Sequence, residues 1–302
     1  MTEPVTVGDA TLYTGDCLEA RVFPRRTHAT PDDNLAFVGD PPFWRIRCDR
    51  VLVSCTFTWD LPEARRLAAS WTAAGYRVTL GGPALNNHGS EFVPGRFLKQ
   101  GLTITSRGCI RRCPWCLVWR REGGLRMLPI RPGHNVQDNN LLACPRSHIE
   151  AVLDMLAGQK EPATFSGGLD ARLLRSWFAR RLSEMRVAQV FTAFDAPAQE
   201  TAMRRAVGLL RENGLTRRQV RCFVLIGFDG DTQVAARSRL EAVWNAGGLP
   251  FAMFYRGEND ARPRVPDAWH NLVREWTRPA AMFARHAADA EADLPLLKHR
   301  KE

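Results

Sequence analysis

The chain has 302 residues, 45% of them hydrophobic and 25% charged, a balance that suits a globular protein with a sizeable core. No apolar run approaches the ~20 residues of a membrane span, and Met1-Thr-Glu-Pro lacks the basic start and apolar stretch of a secretory signal. A cytoplasmic protein with reduced thiols and no membrane partner is therefore expected. Forty-two Lys and Arg against 32 Asp and Glu leave a net charge of +10. Almost all the cations are Arg. Such a balance favours a polyanionic partner or a phosphate-bearing substrate, or else marks a solvated basic face.

In chain order, residues 1–49 are broken by prolines at 4, 24, 31, 41 and 42 and read as a loop-rich segment. Residues 50–99 hold a βαβ unit. Arg50–Phe57 is a strand; Leu61–Ala74 has helical apolar spacing, with Asp60 as N-cap and Pro62 in its first turn. Gly75 ends the helix, and Tyr76–Leu80 is a strand running into Gly81-Gly82-Pro83, with His88 in the loop beyond. From residue 100 strands and helices alternate, which predicts a parallel sheet with crossover helices. The expected strands are Gly101–Thr105, Asn135–Asn139, Ala163–Ser166, Ala188–Phe194, Gln219–Ile226 and Leu249–Tyr255. Helices are expected over Ser147–Leu156, within Leu169–Met185, and over Gln199–Asn213 and Thr232–Ala246. The region 257–302 reads as a helical C-terminal extension ending in the charged run Lys298–Glu302.

Directly after the first of these six strands comes Cys109-Ile-Arg-Arg-Cys113-Pro-Trp-Cys116, three thiols within eight residues. That spacing is too tight for a disulfide framework and points to a metal site. Three thiolates can hold three irons of a four-iron cubane and leave the fourth iron open. The competing reading is a Cys3His or four-thiol zinc knot completed by His134 or Cys144. A zinc knot predicts no six-strand array behind it. Cys55 and Cys222 sit in apolar strands and read as buried small hydrophobes.

Cys-x3-Cys-x2-Cys with Trp115 before the last Cys resembles the signature of the radical S-adenosylmethionine (radical SAM) superfamily. The resemblance implies an α/β fold, a partial (β/α)6 barrel over residues 100–256. It also implies a [4Fe–4S] cluster on Cys109, Cys113 and Cys116, S-adenosylmethionine on the open iron, and a flavodoxin-type, ferredoxin-type or chemical reductant. One electron would cleave the sulfonium to a 5′-deoxyadenosyl radical that abstracts hydrogen from a substrate. Ligands of parallel α/β sheets bind beyond the C-terminal strand ends, and the residues there take implied roles. Trp115 lies against the adenine, Asp138 and Asn139 accept from the ammonium, and Ser166 and Gly167 bring backbone close to the ligand. Asp195 bonds the ribose or caps the next helix, Ile226 and Gly227 line the adenine pocket, and Tyr255 and Arg256 face the substrate as catalytic candidates. Residues 50–85 resemble a shortened cobalamin-binding, Rossmann-like domain without its cobalamin-ligand motif.

The core further resembles a branch of bacteriophage and prophage radical SAM proteins, some linked to thymine hypermodification of DNA. That implies a nucleic-acid base or its amino-acid adduct as substrate and a radical isomerisation as the reaction. Seven arginines, 107, 111, 112, 120, 121, 126 and 131, against the single Glu122 suit a DNA or nucleotide partner. Two alternatives stand beside this: an enzyme acting on a free nucleotide or small metabolite, and a non-catalytic iron–sulfur or zinc protein that binds nucleic acid.

Overall fold

The computed structural model describes residues 5–7, 10–12, 18–86, 91–257 and 265–286. Cys17, His88 and Lys298–Glu302 lie outside the described residues. The fold is mixed α/β and forms two compact units, Met1–Gln100 and Gly101–Glu302.

In the first unit β1 (Val5–Val7) and β2 (Ala10–Leu12) make an antiparallel hairpin. Strands β3 (Glu19–Phe23), β4 (Ala36–Val38), β5 (Arg50–Ser54) and β6 (Val78–Gly81) build a parallel sheet in the order β4-β3-β5-β6. Helix α1 (Leu61–Ala73) crosses from β5 to β6 and buries Ala64, Leu67 and Trp71 against Ala20, Val22, Val51 and Val53. The βαβ unit thus lies where its apolar spacing predicts. Strands β3 and β4 fall in the stretch read as loop-rich, because each is short and prolines bracket them. Glu19, at the start of β3, is held by Arg50 and Arg96. Asp60 stands at the N-cap position of α1 but makes no capping bond; its carboxylate pairs with Arg25 instead.

The second unit opens with β7 (Leu102–Thr103) and β8 (Ser106–Arg107), then the cysteine loop, a short helix α2 (Val118–Arg121) and β9 (Arg126–Met127), which pairs antiparallel with β8. Next come β10 (Asn135–Val136), α3 (Arg146–Ala157), β11 (Ala163–Leu169), α4 (Ser176–Ser183) and β12 (Val187–Ala193). Then follow α5 (Glu200–Glu212), β13 (Val220–Ile226), α6 (Gln233–Asn245), β14 (Leu249–Phe254), α7 (Asp267–Thr277) and α8 (Pro279–Arg285). Strands β7, β10, β11, β12, β13 and β14 form one six-stranded sheet in sequence order, every pairing parallel. The region expected to be helical from Leu169 is strand to that residue, and α4 begins only at Ser176.

The helices cover one face of this sheet. Ile149, Val152, Leu153 and Leu156 of α3, and Met203, Ala206, Val207 and Leu210 of α5, follow the i, i+3, i+4, i+7 stripe that turns a helix toward a core. They pack on Phe165, Val190, Val220, Cys222 and Val224. Thr232 caps α6 by accepting from Ala235 N at 3.2 Å. The opposite face carries another set: Phe191 stacks on Phe223 at 4.6 Å between centroids, and Phe251 meets Phe223 edge-on at 5.9 Å.

Candidate functional site

The C-terminal ends of β7 and β10 are tied together by one carboxylate. Asp138, 2% exposed, accepts from Thr105 N at 2.6 Å, Thr105 Oγ1 at 2.7 Å and Ser106 Oγ at 2.6 Å. Burial pushes its pKa up, and those hydrogen bonds oppose the shift. The next two residues hold the cysteine loop itself. Asn139 Oδ1 accepts from Gly108 N at 2.9 Å, and Asn140 Nδ2 donates to Cys109 Sγ at 3.4 Å. Gly108 has φ +78°, and a Cβ there would overlap the Gly124 carbonyl, so glycine is required where the chain enters the loop.

Within the loop Arg111 N also donates to Cys109 Sγ at 3.3 Å, and Trp119 Nε1 donates to Cys113 O at 3.1 Å. Burial pushes the Cys116 thiol up, and the charges of Cys113, Cys109 and Asp195 add to that. Asp170, just past β11, pairs with Arg172 at 2.7 Å and with Arg111 at 3.0 Å. Burial acts to raise its pKa, yet the two guanidiniums outweigh it and hold the carboxyl below its ordinary value. Arg172 reaches Cys113 as well. Donors thus meet Cys109 and a guanidinium meets Cys113, which favours a thiolate there, whereas the surroundings of Cys116 favour the thiol.

These strand ends enclose an open cavity of about 200 Å³. Cys109, Cys113, Trp115 and Cys116 line it, with Asn139, Gly167 and Asp195 from later strand ends. Gly167 is needed for close approach, since a Cβ would overlap the backbone of Gln137 and Asp138. Asp195 Oδ1 accepts from Leu225 N at 3.1 Å; burial raises its pKa, while that bond and one from the Trp115 side chain oppose the shift. It does not cap a helix: Gln199 holds the N-cap position of α5.

Other expected site residues lie elsewhere. Asp138 spends its carboxylate on Thr105 and Ser106 beneath the cavity, and Ser166 Oγ donates to Asn135 Oδ1 at 2.6 Å. Ile226 is fully buried in the helix-side core. Gly227 N donates to Asp231 Oδ2 at 2.9 Å, starting a turn that Arg239 locks from α6 through Asp231. Tyr255 and Arg256 do not line the cavity, although the Tyr255 ring meets Phe228 at 4.8 Å and Phe228 meets Trp115 at 5.7 Å. Cys144 is buried in the core, and the His134 ring packs over Gly101; neither lines the cavity.

Sequence reading placed Asn140 with Asp138 and Asn139 at the mouth as a source of side-chain oxygens, but passed over Arg172 and the roles of Asp170 and Phe223. Their signal was position, each lying within a few residues of a strand end or on a strand face. The basic cluster is less free than its count suggests. Arg107 and Arg126 pair with Glu122, Arg111 pairs with Asp170, and Arg120 lies over the Trp119 ring at 5.0 Å.

Among the described residues no group of three or more His, Cys, Asp or Glu is arranged to hold a single metal ion. The donor set does suit a larger group carried on three thiolates with a ligand beside it. Three cysteines share one cavity, and two donors already point at Cys109 Sγ. Asn140 lines the same cavity, and its Oδ1 is buried with no hydrogen-bond partner among the described residues. An ammonium donor would satisfy that oxygen. Comparison with protein-family models, curated proteins and solved structures finds no match.

Proposed function

We propose that the chain is a radical SAM enzyme, with Cys109, Cys113 and Cys116 holding a [4Fe–4S] cluster and the six-stranded sheet serving as its partial barrel. The observation that carries this reading is the convergence of three thiols with Trp115, Asn139, Gly167 and Asp195 on one cavity at the C-terminal ends of a parallel sheet. Such a cluster supplies the electron that cleaves S-adenosylmethionine to a 5′-deoxyadenosyl radical. The chain's own part is to bind and orient. Arg111 N and Asn140 Nδ2 stabilise charge on Cys109 Sγ. Asn140 Oδ1 offers an acceptor to an ammonium, and Asp195 faces the indole of Trp115 across the cavity wall. Trp115, Phe228 and Tyr255 form an aromatic chain that runs from the cavity wall to the end of β14.

For the substrate we propose a nucleic-acid base or its amino-acid adduct, rearranged by radical isomerisation. The net charge of +10 supports this, as do exposed Phe43 and Trp44 in the first unit, 98% and 56% exposed, beside exposed Arg45 and Arg47. Interleaved aromatics and arginines are what unpaired bases stack on. The intrachain pairing of Arg107, Arg111 and Arg126 favours the second reading, a free nucleotide or small metabolite.

The test is anaerobic reconstitution followed by iron counting, then 5′-deoxyadenosine formation with dithionite, with and without DNA, across a salt series. About four irons per chain and 5′-deoxyadenosine are expected. Bound zinc without colour would refute the enzyme reading. Stimulation by DNA that falls log-linearly with salt supports the polymer substrate, and stimulation by a nucleoside alone supports the small one.

A further inference from the structure

Strand β13 holds one residue that its surroundings do not explain. Arg221 alternates with the core residues Val220 and Cys222, so it projects from the sheet face opposite the helices. On that face it stands two residues before Phe223, which lines the cavity, a step of about 6.6–6.8 Å along a strand. The register agrees from the neighbouring strand: Ala193, also in the cavity wall, pairs with Phe223, and Phe191 pairs with Arg221. Arg221 is therefore one layer below the cavity floor.

Its surroundings are aromatic. The guanidinium carbon lies 5.4 Å from the Phe191 centroid on β12 and 5.6 Å from the Phe251 centroid on β14. Arg221 makes no ion pair among the described residues, and its Nε is buried without a hydrogen-bond partner. Burial alone acts on its charge and pushes its pKa down. The two rings offset part of the cost of holding that charge there, but a buried donor without an acceptor still destabilises the fold. Arg239 and Arg172 of the same unit are by contrast paired with carboxylates, Asp231 and Asp170. Further along the same face the wall turns polar: Asn135, Ser166 and Gln137 are linked by hydrogen bonds of 2.6 and 3.3 Å.

We propose that Arg221, flanked by the Phe191 and Phe251 rings on the cavity face of the sheet, is the anchor for an oxyanion of the substrate, a carboxylate. Rings on the flanking strands leave the guanidinium its in-plane donors, and a flat carboxylate accepts two of those at once. The inference rests on reading the cavity as the substrate chamber and adds the substrate's charge class to it.

The test uses the full-length, anaerobically reconstituted protein and three probes of one shape: benzoate, phenyl phosphate and neutral benzamide. Titration calorimetry on wild type is expected to show benzoate binding more tightly than either of the others. Arg221→Met should weaken benzoate binding by roughly tenfold to a hundredfold, the worth of a charged hydrogen-bonded pair. Should that variant not fold, Arg221→Lys keeps the charge without the flat fork and is expected to lose part of the affinity. Equal benzoate binding by wild type and variant overturns the proposal, as does absence of benzoate binding by wild type or no preference over benzamide. Tighter binding of phenyl phosphate overturns the carboxylate assignment. Failure of the radical SAM reading would appear separately, as wild-type protein without iron.

Discussion

Replacing Asp138 by Ala should unfasten the root of the cysteine loop without touching a thiol. Three donors lose their acceptor: Thr105 N, Thr105 Oγ1 and Ser106 Oγ, at 2.6, 2.7 and 2.6 Å. Thr105 and Ser106 are themselves fully buried, so water cannot replace the carboxylate without opening the site. A buried donor left unsatisfied costs about 1–3 kcal/mol. The Thr105 hydroxyl has a second neighbour in His148 Nε2 at 3.4 Å and can turn toward it, which puts its share at the low end. The expected loss is then roughly 3–5 kcal/mol, most of it local to β7 and β8. Hydrogen exchange at the Thr105 amide is the sharpest assay, since that proton sits on the bond being removed. It should exchange far faster in the variant, and reconstituted iron should fall even though all three cysteines remain. Asp138→Asn, which keeps one acceptor for Thr105 N, should lie between the two. Slow Thr105 exchange in Asp138→Ala, with urea stability within about 1 kcal/mol of wild type, would refute the reasoning.

Cys144→Ala should retain the wild-type iron content, whereas Cys109→Ala, Cys113→Ala or Cys116→Ala should lose the cluster and reductive cleavage; iron analysis and absorption spectra read both. Arg239→Leu should cost roughly 3–5 kcal/mol because it strands the Asp231 carboxylate at 9% exposure, and the double variant with Asp231→Leu should cost less than the sum of the singles. Additive losses in a urea double-mutant cycle would mean the pair does not act as a unit. Asp170 has its folded pKa held below the ordinary value, so its stabilising contribution is present above the unfolded pKa of about 3.9 and is lost as pH falls through the lower folded value. The melting difference between apo wild type and apo Asp170→Asn should accordingly be full at neutral pH and shrink below about pH 4; a difference independent of pH would contradict the assignment.

Strands β12, β13 and β14 were legible as mainly apolar runs, whereas β7 and β10 were legible mainly from the regular alternation of strands and helices, and neighbours in sequence are neighbours in the sheet. The cysteine loop was legible from spacing alone. Strands β3 and β4 were not: Glu-Ala-Arg-Val-Phe alternates correctly, but five residues between prolines give too short a window, and only Arg50 and Arg96 closing on Glu19 explain the charge inside it. Asp138 was legible as a mouth residue and illegible as a brace. Its position after a strand says that it is near the site, whereas its partners Thr105 and Ser106, some thirty residues earlier, are fixed by the pairing of β10 with β7.

Arg221 shows the same limit in a sharper form. Val-Arg-Cys-Phe-Val-Leu-Ile is apolar at every position but one, so period-two alternation cannot say which face meets the helices. Read in sequence, the arginine is an irregularity in a good strand. Register settles the matter: pairing Arg221 with Phe191, and Phe223 with both Ala193 and Phe251, puts the charge on the cavity side with aromatic rings from both flanking strands. On the helix side the same residue would have to be neutralised within the core, as Asp231 neutralises Arg239. Facing the chamber, it can wait for a partner that arrives with the substrate, and the cost of leaving it unpaired becomes part of what makes an anionic ligand bind.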